Sequence, residues 1–186
     1  SSAYWIKNER SKILHNGKPD KTEGHTTELF TKWSADFIRE NTIKEKPFFC
    51  YLSYNAVHGP IRTDKSKPSS APKEWVDKAI GRGVSFLRSD YVAVLEHMDY
   101  NIGKLVDLLD ELKIRENTLI VFVSDNGACQ MAEGPGGRFP GNNGAFRGCK
   151  GTTYQGGLSV PFLMNWQNQF PDCLLYTSPS PRDYGT

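Results

Sequence analysis

Residues 118–127 read Thr-Leu-Ile-Val-Phe-Val-Ser-Asp-Asn-Gly. The apolar run at 119–123 stops abruptly at Ser124, Asp125, Asn126 and Gly127. A continuous apolar run closed by a turn signal predicts a strand covered on both faces. Such strands belong to α/β sheets, whose ligands bind just beyond the carboxyl ends of the strands. Asp125 and Asn126 therefore stand where an α/β protein does its chemistry. They offer a carboxylate and an amide oxygen side by side, hard donors of the kind Ca²⁺ or Mg²⁺ takes. The same Asp-Asn-Gly also favours a plain turn, and this stretch alone leaves both readings open.

The rest of the chain supplies elements for a layered fold. Residues 1–25 are polar, with Asn16-Gly17 and Gly24, and predict loops with a short hairpin. From Thr26, Leu29, Phe30, Trp33, Phe37 and Ile38 recur at helical spacing, predicting a helix that ends near Asn41. The aromatic run at 48–54 predicts a second buried strand, followed by polar groups at 55–60. Trp75, Val76 and Ile80 predict a short helix before Gly81. Tyr91, Val94, Leu95, Met98, Ile102, Leu105, Leu109 and Leu112 step by three or four, predicting a long helix capped by Ser89 or Asp90. Residues 127–157 are glycine-rich and without period, a functional loop or a disordered one. A last short strand is expected at 158–164, with Pro161 pointing to an edge or to irregular pairing. Helix, strand, helix, strand, loop, strand is the order of an α/β fold, a central sheet flanked by helices.

Composition excludes several classes. Hydrophobic residues make up 38% and charged residues 24%, enough apolar content for a core. The net charge of +2 argues against a dedicated nucleic-acid binder. No apolar run in this piece approaches the ~20 residues of a membrane span. Cys50, Cys129, Cys149 and Cys173 have no Cys-x-x-Cys spacing, which speaks against a zinc ribbon or a redox pair and leaves their disulfide status open.

Three segments carry polar groups able to share a site. His58 follows the first predicted strand, Asp125 and Asn126 follow the second, and Arg147 and Lys150 lie in the glycine-rich 144–157. Taken singly, His58 reads equally as a loop histidine and Lys150 as a solvated lysine. The segment Gly-Cys-Lys-Gly-Thr-Thr is not a P-loop, because Cys149 precedes the lysine and Gly151 follows it.

Together these segments carry a resemblance. Residues 46–60, Lys-Pro-Phe-Phe-Cys-Tyr-Leu-Ser-Tyr-Asn-Ala-Val-His-Gly-Pro, resemble the type I sulfatase segment that ends in His-x-Pro. Residues 121–127 resemble the sulfatase strand that ends in Asp-Asn-Gly, and 147–157 the segment Lys-Gly-Thr-Thr-Tyr-Glu-Gly-Gly, with Gln155 replacing Glu. Residues 91–103, with Glu96, His97, Met98, Asp99, Ile102 and Gly103, match the helix between them. The resemblance implies an alkaline-phosphatase-like layered α/β fold, present in part. It implies one Ca²⁺ held by Asp125 and Asn126, and a sulfate ester contacted by His58, Lys150 and Arg147. His58 is then a candidate general acid.

The family's nucleophile is a formylglycine made from Cys or Ser in Cys/Ser-x-Pro/Ala-x-Arg, and no such pattern occurs in this chain; residues 178–182, Ser-Pro-Ser-Pro-Arg, have the proline out of place. The resemblance thus implies the later part of a catalytic domain over 1–172, with the formylglycine and the remaining calcium ligands upstream. It also implies an extracytoplasmic setting. Residues 173–186 resemble a translated sequencing adapter and are expected to lie outside the fold. Two alternatives stand beside the sulfatase: a non-catalytic relative that binds an anion or calcium, and a phosphodiesterase or phosphonate hydrolase of the same superfamily. Loops 61–89 and 128–146 are expected to line the substrate entrance.

Overall fold

A computed structural model describes residues 4–6, 13–20, 22–58, 69–129 and 141–177. Pro60, residues 130–140 of the expected entrance loops, 61–68 likewise, and the end of the tail from 178 lie outside the described residues. The chain divides into two compact units, Ser1–Leu108 and Leu109–Thr186.

The first unit opens with β1 (Trp5–Ile6), which pairs antiparallel with β4 (Gly24–His25). Between them lies the expected hairpin, β2 (Ile13–His15) and β3 (Lys18–Asp20), closed by Asn16 and Gly17 at φ 52 and 76. Both turn residues take positive φ, which matches the twist of a tight hairpin and which Asn-Gly adopts readily. His15 stacks on Trp33 with ring centroids 4.4 Å apart, fastening the hairpin to helix α1 (Thr26–Ile43). That helix starts where the spacing predicts and runs two residues further. His25 caps it, its ring accepting the Thr27 N–H.

Helix α2 (Lys73–Gly81) ends at the expected glycine. Helix α3 (Phe86–Glu111) begins earlier than predicted, and Ser89 and Asp90 are not its cap. Both are fully buried inside its first turns. The Asp90 carboxylate accepts the Ser70 N–H at 3.0 and 3.1 Å, a tertiary partner that sequence spacing does not reveal. The core joins Tyr4, Ala71, Val76, Ala93 and Val94, with Trp5, Ala56, Val57 and Trp75 packed against it. The predicted apolar stripe of α3 is incomplete as a description of that face. Leu95 is exposed, while His97 and Asn101 are buried on the covered side. Asn101 donates to the His97 carbonyl at 2.8 Å, which satisfies an amide that burial would otherwise leave unpaired.

The predicted strand at 48–54 is not a strand. It has no ladder partner among the described residues, and Phe49 and Tyr51 are 84% and 80% exposed. Aromatic content favours a pleated surface, but a strand exists only where a neighbouring backbone supplies the ladder.

In the second unit α3 ends at Glu111, the chain turns through Lys113 (φ 57), and a short 3-10 turn, Arg115–Asn117, leads into β5 (Ile120–Val123). Strands β5, β6 (Pro161–Trp166) and β7 (Phe170–Thr177) form an antiparallel sheet in the order β5-β6-β7. Two expectations change here. The side chains of β5 alternate, with Val121 and Val123 about half exposed, so the strand is covered on one face and not on both. Strand β6 is central and not an edge, and the other reading that Pro161 allowed, irregular pairing, appears as a register shift against β7 between Met164 and Trp166. Pro161 is tolerated as its first residue, where no ladder N–H is needed, and its carbonyl accepts the Ser124 N–H. Leu158 lies in the single turn α4 (Gln155–Leu158) that precedes β6. The segment expected to stand outside the fold contributes backbone as far as Thr177 to β7.

Candidate active site

The polar end of β5 is built by local hydrogen bonds. The Ser124 hydroxyl donates to the Asn126 carbonyl at 3.0 Å and closes the turn that carries Asp125 and Asn126. Asp125 is exposed and Asn126 half-buried. Asn126 Nδ2 donates to the Gly127 carbonyl at 3.3 Å, which leaves Oδ1 as its acceptor atom. The pair thus presents a carboxylate and an amide oxygen, a donor set that fits a hard cation such as Ca²⁺. Two residues do not fill a calcium shell. Among the described residues no three of His, Cys, Asp and Glu gather into a metal cluster.

Gly127 fixes how this turn meets the glycine-rich loop. Its N–H donates to the Gly157 carbonyl at 3.1 Å, and a Cβ at 127 would stand 1.8 Å from the Gly156 carbonyl oxygen. Only glycine permits that approach. Gly156 is bound in turn, its N–H donating to the Arg147 carbonyl at 2.8 Å.

The Arg147 to Lys150 segment is held from both sides. The Lys150 N–H donates to the Ala128 carbonyl at 3.2 Å. Thr152 Oγ1 accepts the Cys149 N–H at 3.1 Å and donates to the Cys149 carbonyl at 2.8 Å. The Arg147 guanidinium lies 4.1 Å from the Tyr154 ring centroid, a cation–π contact that limits its freedom. Arg147 and Lys150 are exposed, so two cationic side chains stand on a loop bonded to the turn of Asp125 and Asn126. Four of the five residues singled out from sequence are therefore brought into one hydrogen-bonded assembly in the second unit.

His58 belongs to the first unit. It is exposed and closes a turn, its N–H donating to the Asn55 carbonyl at 2.8 Å. The Tyr4 hydroxyl bonds the carbonyls of both Asn55 and His58, tying this turn to the core. A cleft of about 620 Å³ between α1 and α3, lined by Glu28, Lys32, Arg39 and Lys104 among others, contains none of the residues singled out.

Sequence reasoning missed Asn143. Its side chain binds both backbone groups of Ala128 and the Gly148 carbonyl. The residues Gly-Asn-Asn-Gly at 141–144 look only like a turn, and no spacing rule marks one asparagine of the two. It missed equally the buried histidine pair of the first unit. His25 and His97 meet edge to face at 4.6 Å. Burial pushes the His25 imidazole down to about 4, partly offset by its bond to the Ser70 carbonyl. Burial also lowers His97, against the opposing pull of the Glu28 carboxylate at 3.1 Å.

The Sulfatase family model matches residues 1–182, almost the whole chain. The chain belongs to the sulfatase family. Rat N-acetylgalactosamine-6-sulfatase is 33% identical over 144 residues, 77% of this chain and 24% of that protein. Mouse steryl-sulfatase is 35% identical over 147 residues, 78% of this chain and 21% of that protein. The crystal structure of Ps i-CgsB in complex with k-i-k-neocarrahexaose superposes with a TM-score of 0.69 at 32% identity, covering 84% of this chain and 31% of that one. The PsFucS1 sulfatase of Pseudoalteromonas sp. gives a TM-score of 0.58 at 29% identity, covering 76% and 24%. This sulfatase chain spans about a quarter of the length of the relatives it matches. Its described residues have the mixed α/β content of the family's alkaline-phosphatase-like fold.

Proposed function

We propose that this chain is the later part of a catalytic domain that hydrolyses sulfate esters, with sulfated carbohydrates as the substrate class. One observation carries the reading: in a member of the sulfatase family, the Asp125–Asn126 turn is bonded directly to the loop that carries Arg147 and Lys150. A carboxylate beside an amide oxygen, suited to a cation, and two cationic side chains are the groups a sulfate ester requires. The carbohydrate assignment rests on relatives, one an N-acetylgalactosamine-6-sulfatase and one in complex with k-i-k-neocarrahexaose.

Each residue has a role that follows from its chemistry. Asp125 and Asn126 would hold Ca²⁺, to which they would bring two of the roughly 6–8 oxygens it takes. The chemistry such an ion would supply there is polarisation of the sulfuryl oxygens. Lys150 supplies a point charge to the same oxygens and Arg147 a planar fork of donors. His58 protonates the leaving ester oxygen, a contribution of about 10²–10⁴ in rate. The nucleophile is a formylglycine from sequence upstream of residue 1. The setting is extracytoplasmic. Among the described residues no helix is long and apolar enough to cross a membrane.

The test is a leaving-group series on the longer protein that carries this chain. Lys150→Ala should raise KM and lower kcat for every sulfate ester, because its charge binds the sulfate oxygens in the ground state and binds them more tightly in the transition state. His58→Ala should lower kcat for alkyl and sugar sulfates, and much less for aryl sulfates whose phenols leave easily. Equal dependence of kcat on leaving-group pKa in the parent and His58→Ala, with bond cleavage limiting, would remove the general acid. An unimpaired Lys150→Ala would remove the anion site.

A further inference from the structure

We propose that Asn143 is a positioning residue that locks the Asp125–Asn126 turn and the Arg147 to Lys150 segment into one unit; this rests on the sulfate-site reading above. Asn143 Oδ1 accepts the Ala128 N–H at 2.7 Å, and Nδ2 donates to the Ala128 carbonyl at 3.0 Å. The side-chain amide thus pairs with the residue after the turn as a neighbouring strand would. The remaining Nδ2 hydrogen goes to the Gly148 carbonyl at 3.1 Å, beside Arg147. Ala128 follows the Asp125-Asn126-Gly127 turn directly, and its carbonyl also accepts the Lys150 N–H at 3.2 Å. One side chain therefore spans the two halves of the proposed site.

The orientation of this amide is determined by its partners. Reversed, Nδ2 would face the Ala128 N–H and Oδ1 would face two carbonyls, so donors would meet donors and acceptors acceptors. Its own backbone is anchored as well, the Asn143 carbonyl accepting the Phe146 N–H at 3.2 Å. Few side chains can replace it. An aspartate keeps the acceptor for Ala128 and loses both donors, setting a charged oxygen against two carbonyls. An alanine loses all three bonds. The effect of Asn143 on the proposed site passes through the backbone of Ala128, Gly148 and Lys150.

The test compares the full 186-residue chain with Asn143→Ala and Asn143→Asp, using inorganic sulfate as the probe. Amide hydrogen exchange at Ala128 and Lys150 reads the tie, and a sulfate titration followed at the Arg147 and Lys150 side chains by NMR reads the anion site. Asn143→Ala should speed exchange at both amides by about tenfold or more, the scale of one to two lost hydrogen bonds. Sulfate affinity should fall about tenfold with it. Exchange at Ile114, whose N–H bonds the Leu109 carbonyl, should not change. Near neutral pH Asn143→Asp should be at least as impaired as alanine. At about pH 4 its carboxyl takes up a proton and can donate to the Ala128 carbonyl. The aspartate form should then recover sulfate binding relative to alanine at the same pH, a ratio that a generic packing role does not move. Unchanged sulfate affinity in both variants, no acid recovery, or exchange rising equally at Ile114 would each overturn the positioning role alone. No response to sulfate in the unaltered chain would overturn the anion-site reading and this role with it.

Discussion

Acidification from pH 7.5 to 4.5 should weaken the first unit through His25. The imidazole is fully buried, with Nδ1 accepting from the Thr27 N–H at 3.2 Å and Nε2 bonded to the Ser70 carbonyl at 2.9 Å. A second proton would convert the helix-capping acceptor into a donor facing a donor. The unfolded chain takes up that proton as the pH falls through 6.5, whereas the folded chain resists it down to about 4. Between those values the unfolded state binds more protons, so stability rises with pH. The contribution is fully present above 6.5 and is lost progressively toward 4. The gap between 6.5 and about 4 corresponds to about 3 kcal/mol. His97, lowered in the same direction, adds to it. Against a domain stability of roughly 5–15 kcal/mol this is a large fraction. Urea unfolding followed by tryptophan fluorescence suits the measurement, because Trp5 lies 5.0 Å from His25 and Trp75 5.7 Å from His97. The comparison is His25→Asn, which keeps a capping oxygen but does not titrate. It should be less stable at pH 7.5, by about 1–3 kcal/mol of lost packing against Tyr4. Its stability should depend less steeply on pH. Parallel curves for the two proteins between pH 6.5 and 4.5 would refute the assignment to His25.

Gly127→Ala should destabilise the second unit by about 3 kcal/mol or more, since the added carbon meets backbone at 156 that has no room to move. A urea midpoint equal to the parent's would contradict the close packing. Tyr4→Phe leaves the Asn55 and His58 carbonyls without their phenol donor and should cost about 1 kcal/mol. It should also speed exchange of the His58 amide, and an unaltered rate there would rule out the tether. The 186-residue chain alone, with calcium supplied, should not turn over an aryl sulfate, because it contains no Cys/Ser-x-Pro/Ala-x-Arg from which the nucleophile is made. Turnover that survives repurification would disprove this.

Helices α1, α2 and α3 were legible because helical periodicity is written locally, each apolar residue three or four positions from the next. The Asn16-Gly17 hairpin was legible because two adjacent positive-φ residues define it without distant partners. The motifs were legible as those of a family, which the family match over 1–182 bears out; the site drawn from them is a proposal. Tertiary structure decided what depends on a partner far along the chain. The run at 48–54 has the composition of a strand and finds no ladder among the described residues, while β6 becomes central despite Pro161. Pairing is a property of two segments, and side-chain pattern describes only one. His97 sits on the covered face of α3, where Glu28, distant in the chain, bonds its Nε2. Asp90 is buried because the Ser70 N–H meets it. Asn143 joins the two halves of the site for the same reason: a polar side chain acquires its role from the groups it is brought to face, and only the fold brings Ala128 and Gly148 to it.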